Sequence, residues 1–348
     1  MRIRRSLPMV MAILLVSGAV ALVVILRKHA PPEPARLLPG ADGFFYVNLQ
    51  WLRRVNVLGD LPAVHHDPEY QQFIEATGFD FERDLEQAAI AIHYSTGPSA
   101  LENARFSSVF VAKLDGERLR AYFRKLAASI DNYRSIDIYN IPRDGRTLRL
   151  AILGVDTVAA SNHDDPQVIR GIVDRSRKLA SPFAGPALLR QYYKEVPFAS
   201  MGWAVLKVQP SAASSPEWSL LFARPAVLVT SIRYLGSLHF TATAFAADEE
   251  QARQISEKAG TFLSLFHAAE SDVSAPAADP DIKTLLDSVK LVEQRNRAIL
   301  TAIVPAGLVR KLLAESPIEA VPQVSPPASP PEPKRKSKGK NREKQIPN

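Results

Sequence analysis

The chain contains no cysteine. That absence excludes a disulfide framework, a thiol nucleophile and any cysteine-ligated zinc or iron–sulfur centre. The common linear signatures of catalysis and nucleotide binding are missing too. There is no G-x-x-x-x-G-K-[ST], no G-x-G-x-x-G, no H-E-x-x-H and no G-x-S-x-G. One S-x-x-K occurs, Ser337 to Lys340, inside a proline- and lysine-rich end that offers a nucleophile no scaffold. The formal charge of +7 invites a nucleic-acid reading, but its distribution removes it. Residues 1–28 carry five cations and no acid, and residues 334–348 carry seven cations against Glu343. Residues 29–333 are left at −4, so the middle of the chain is mildly acidic and no nucleic-acid partner is expected.

What is present begins with Leu7 to Leu26, 20 residues without a charge. At 1.5 Å per residue such a run spans a ~30 Å hydrocarbon core. Arg4 and Arg5 precede it, and Arg27 and Lys28 follow. Ala19-Val20-Ala21 has the small-x-small form of a cleavage site, yet the apolar run continues for five residues beyond it. The reading is therefore an uncleaved anchor, with cleavage after Ala21 as its competitor. A short inside tail then places the large domain on the extracytoplasmic, periplasmic side of the inner membrane.

Residues 29–41 carry four prolines and read as a stiff linker. Residues 42–315 carry the fold, and residues 316–348 read as a disordered tail, too poor in large apolar groups to offset the entropy of ordering. Within the fold, apolar strands lead through an acidic residue into helices. Asp115 precedes Leu119, Tyr122, Phe123 and Leu126; Asp165-Pro166 precedes Ile169, Ile172 and Val173; Asp248 precedes Ala252, Ile255 and Phe262. Asp144-Gly145, Gly236 and Arg295-Asn296 mark hairpins. Hairpins joined to helices predict an α+β fold, antiparallel sheets with helices packed on one face. The pattern recurs, which predicts two related lobes, 42–198 and 199–315. Phe123 and Phe262 should then be equivalent and buried.

The ligand-type residues favour structure over chemistry. His65-His66-Asp67 and His163-Asp164-Asp165 each precede a helix, so the acids read as caps and no metal site is expected. His93 and His239 read as strand residues. The acidic run Asp80, Glu82, Asp84 and Glu86 reads as a helix start with a solvated face. Trp51, Trp203 and Trp218 read as packing residues. The sharper feature is Lys334, Arg335, Lys336, Lys338, Lys340, Arg342 and Lys344, a candidate polyanion-binding segment; the partners expected of the chain beyond the bilayer are lipid head groups, an anionic envelope polymer or a protein.

Leu38-Pro39-Gly40-Ala41-Asp42 before the strand Gly43 to Leu49 resembles the opening of a family of uncharacterised bacterial membrane-anchored envelope proteins. Thr77-Gly78-Phe79-Asp80 is similar to their "T-G-hydrophobic-D" segment, and Asp115 to Leu126 and Val155 to Asp165 to their strand-to-helix steps. The likeness covers about residues 38–210. It implies an architecture and a location, with no reaction, cofactor or active site. The expected function is a membrane-anchored extracytoplasmic binding or scaffold domain without catalysis. The alternative is an envelope hydrolase built from dispersed Ser, Asp and His.

Overall fold

The computed structural model describes residues 30–55, 67–95, 103–177, 185–210, 216–272 and 280–315. The chain divides into two units, residues 1–315 and 316–348, and the second lies outside the described residues. The uncharged run 7–26, His65, His66 and the seven basic residues from Lys334 to Lys344 also lie outside them. Among the described residues, no helix is long and apolar enough to cross a membrane.

In chain order the elements are α1 (Glu33–Leu37), β1 (Gly43–Asn48), α2 (Leu49–Arg54), α3 (Pro68–Thr77), α4 (Phe81–Asp84), β2 (Leu85–His93) and β3 (Arg105–Ala112). Then follow α5 (Gly116–Leu126), β4 (Ser129–Tyr133), β5 (Ile136–Arg143), β6 (Arg146–Ile152), β7 (Thr157–Ser161), α6 (Gln167–Arg177) and α7 (Ala187–Tyr192). The remainder is β8 (Gly202–Val208), α8 (Pro216–Leu221), β9 (Ala226–Tyr234), β10 (Leu238–Phe245), α9 (Glu249–Asp272), α10 (Pro280–Ser288), β11 (Lys290–Gln294), β12 (Arg297–Val304) and α11 (Ala306–Glu315).

The strands form one 12-stranded sheet in the order β11-β12-β10-β9-β8-β1-β2-β3-β7-β6-β5-β4. Every neighbouring pair is antiparallel. The expected hairpins form. Asp144 and Gly145 both take positive φ, 50° and 72°, the backbone a two-residue turn of this kind requires. The acidic caps form as well. The Asp115 carboxylate accepts from the amides of Glu117 and Arg118, and that of Asp248 from Gln251.

The α+β class with antiparallel pairing holds, whereas helices on a single face do not. Neighbouring residues on one strand enter opposite layers. In β5, Tyr139 packs beneath α5 with Leu119 and Phe123, and Ile138 packs beneath α6 with Ile169 and Ile172. In β7, Val158 and Ala159 divide in the same way. Strands apolar on both sides need cover on both sides. One layer therefore holds α3, α4 and α5 over one end of the sheet and α8 and α9 over the other. The opposite layer holds α1, α6 and α7.

The division at residues 198/199 does not separate two bodies. Strand β1 pairs with β8 across it, Phe45 opposite Ala204, and Phe44 and Tyr46 share a core with Trp203 and Val205. From that central pair the order reads outward as β1-β2-β3-β7 and as β8-β9-β10-β12. In each half a helix follows the third strand and a later strand returns beside it. The expected burial of Phe262 fails. Phe123 is 6% exposed, but Phe262 is 38% exposed, because α9 docks through Ala252 and Ile255 near its start.

A further correction concerns residues 29–41. Instead of a linker, Glu33–Leu37 is a helix whose Ala35 and Leu37, with Leu38 beyond it, lie in the main core against Ala89, Val109 and Ile172. Pro34 fits because the first helical turn needs no amide donor. The Leu37 carbonyl accepts the Arg175 Nε–H at 2.6 Å, locking α1 to α6.

Candidate functional site

An apolar cleft lies between α3, α4, α5 and the sheet beneath them. Asp67 starts α3 by accepting the Tyr70 amide at 2.7 Å, and Gly78 ends it at φ 72°, a conformation that favours glycine. The chain then turns into α4, capped by Asp80. The Tyr70 hydroxyl accepts the Phe81 amide at 2.9 Å and holds this turn against the helix. Asp84, expected in a solvated face, is buried instead. Its carboxylate accepts from the Asp80 amide and from Arg83, whose hydrogen bond holds it below the usual carboxylate range. Leu85 and Glu86 belong to β2.

These turns stack a row of rings. Phe73 lies 5.8 Å from Phe81, 6.1 Å from Phe79 and 5.4 Å from Tyr122 of α5, and Phe123 lies 5.7 Å from Tyr139. Between them and the floor of Phe110, Leu150 and Val158 is a cleft of about 420 Å³. Phe81 and Leu126 stand at its mouth, 41% and 43% exposed, with Asp67, Glu69 and Arg143 on the rim. A volume of this size, apolar walls and a few polar groups at one edge are the features of a small-molecule site. Tyr70, Phe73, Phe79 and Phe81 lie close together in the sequence, but the walls come from four separate stretches that only the fold brings together.

Two polar places compare with it. Near the start of α5, Asp115, Glu117 and Asp137 line an open cleft. Each carboxylate is already engaged: Asp115 as a cap, Glu117 with Arg120 at 2.6 Å and Asp137 with Asn132 at 2.9 Å. On the opposite face of the sheet, His93 Nε2 lies 3.3 Å from Ser107 Oγ, which lies 3.0 Å from Ser161 Oγ. The His163 ring stands 4.9 Å from His93, and its Nδ1 accepts the Asp165 amide. Asp165 in turn accepts the Gln167 amide, the cap expected there. His93 borders a cleft with Asp42 and Lys207, which pair at 3.2 Å. Ser107 has 0% and Ser161 2% of its surface exposed, so neither hydroxyl can meet a substrate here. Among the described residues no three His, Asp or Glu side chains gather as metal ligands. His239 sits in β10, its Nε2 3.1 Å from Ser237 Oγ.

Burial lowers the His93 pKa below its ordinary value, and His163 adds to the shift while Asp42 opposes it. The folded protein thus binds this proton less readily than the unfolded chain. The associated stability is present above the unfolded value, ~6.5, and falls away as pH drops through the lower folded value. Urea midpoints should therefore fall between pH 7 and 5, and His93→Gln should flatten that slope. An unchanged slope in the variant would remove His93 as its source.

No family model matches the chain, and no curated protein matches it. Solved structures of TP0453 are similar over much of it. Crystal form III shares 9% identity, covering 82% of this chain and 99% of that one, at a TM-score of 0.42. Crystal form IV shares 11%, covering 82% and 97%, at 0.43. Crystal form I shares 10%, covering 82% and 98%, at 0.41. At these scores and identities the chain is distantly similar to TP0453, and no function follows from the likeness.

Proposed function

We propose that the chain is a membrane-anchored, extracytoplasmic binding domain without catalysis, whose site is the aromatic cleft between α3, α5 and the sheet. The observation that carries the binding role is the cleft itself: about 420 Å³ with rings on several sides and charges confined to the rim. Its occupant is a small ligand with an apolar body, an acyl chain or a ring. An anionic head group would find Arg143 at the rim. The anchor rests on residues 7–26, and the inner-membrane, periplasmic placement on the flanking cations and on the resemblance to envelope proteins. The basic tail from Lys334 to Lys344 would add contacts to head groups or an anionic polymer.

The mirrored strand order supports reading the sheet as an internal duplication. The exposed Phe262 limits that kinship to topology and excludes the helix core.

The hydrolase alternative has its best-placed groups at His93, Ser107 and Ser161, where the geometry is a hydrogen-bonded row but both hydroxyls are covered. The test is titration of the purified chain with a fluorescent fatty acid. Phe81→Arg, at an exposed position, should leave the fold intact and weaken binding by roughly tenfold or more by placing a charge across the mouth. Equal affinity in the two proteins would remove the cleft as the site. Labelling of Ser107 by a fluorophosphonate would establish the alternative.

A further inference from the structure

If residues 7–26 cross the membrane, the folded body begins almost at once. Pro31 is already buried, and α1 starts at Glu33. Only residues 27–30 separate Leu26 from that buried position. Five residue steps extend at most ~18 Å. The body is therefore held at the bilayer surface, and α1 marks the layer from which the tether leaves. That layer has a charge of its own. Its helices and the short turn Tyr193–Glu195 carry Arg36, Arg170, Arg175, Arg177, Arg190 and Lys194 against Glu33, Asp174 and Glu195. In the remaining helices, acids outnumber cations. One of the three acids of the α1 layer, Glu195, is taken up by Arg297 at 2.9 Å.

We infer that the layer formed by α1, α6 and α7 is a docking surface for anionic lipid head groups, which turns the aromatic cleft, on the other side of the sheet, away from the bilayer. The inference rests on the anchor reading above. Tether length and charge act together. The tether holds the layer within the distance over which a surface potential is felt, and the net positive charge sets which side faces it. A free domain would sample this orientation briefly, whereas a tethered one samples it continuously.

The chain has no cysteine, so single labels can be placed without background. Gln191→Cys lies on the exposed side of α7 and Thr261→Cys on the exposed side of α9. The full chain would be reconstituted into vesicles of phosphatidylglycerol and phosphatidylcholine, with a fluorophore on either cysteine and a quencher on the lipid head groups. Quenching at residue 191 should exceed that at residue 261 by about threefold at low salt, and the difference should shrink at high salt and in pure phosphatidylcholine. Arg177→Gln, Arg190→Gln and Lys194→Gln together should abolish most of the difference. Equal quenching of the two labels in protein that stays with the vesicles after alkaline washing would overturn the docking surface and leave the anchor standing. Release of the protein by that wash would overturn the anchor, and the docking argument with it.

Discussion

A chain that begins at Asp42 should fail to fold, whereas one that begins at Ala30 should unfold cooperatively. Both lack residues 7–26, so membrane contact cannot account for the difference. The shorter chain loses Ala35, Leu37 and Leu38, which are 0%, 4% and 1% exposed. Removing one buried leucine side chain costs about 2–5 kcal/mol. Two such losses are comparable with the whole stability of a typical domain, ~5–15 kcal/mol. The shorter chain also leaves the Arg175 Nε–H without its acceptor at Leu37. Urea unfolding followed by circular dichroism reads the result. Leu38→Ala in the longer chain gives the graded version, with an expected loss of about 2–5 kcal/mol. Equal transitions in the two truncated proteins would show that α1 is dispensable.

The second large effect separates two phenylalanines at matching places in the chain pattern. Phe123→Ala should cost about 3–5 kcal/mol, because its ring is buried against Leu119, Tyr139 and Val158. Phe262→Ala should cost under about 1 kcal/mol, because its ring is more than a third exposed. Denaturant midpoints of the two variants check the pair. Similar losses would mean that α9 is held along its length as α5 is.

The elements with a strong local cause were legible. Asp before an apolar-periodic run gave α5, α6 and α9, and Asp144-Gly145 gave the β5–β6 turn. The turn between β4 and β5 has no local signature, because Arg134 and Ser135 take φ of 51° and 61° without a glycine to mark it. Helix α1 reads as a linker in the sequence because its prolines, taken one by one, speak for extension. Its burial depends on Val109 of β3 and Ile172 of α6, far along the chain, which no local pattern records. The residue pattern of β5 and β7 does carry the signal for a second layer. Strands such as Thr157–Ser161, apolar on both sides, require cover on both, and a single helix layer could not have supplied it.

The cleft shows the same division. Its rings at Tyr70, Phe73, Phe79 and Phe81 lie within a short stretch, but Tyr122, Phe110 and Leu150 reach it only through the fold. The two serines beside His93 were equally hidden. They meet because β3 and β7 pair with Ser107 opposite Ser161, a register set by long-range packing.

The most direct test of the binding role is photo-crosslinking with a diazirine-bearing fatty acid on the full chain, followed by peptide mass spectrometry. The cleft predicts adducts within residues 69–81 and 119–126, competed by unlabelled fatty acid and lost in Phe81→Arg. Adducts spread over the exposed sheet and helices, unaffected by the competitor or by the substitution, would contradict it.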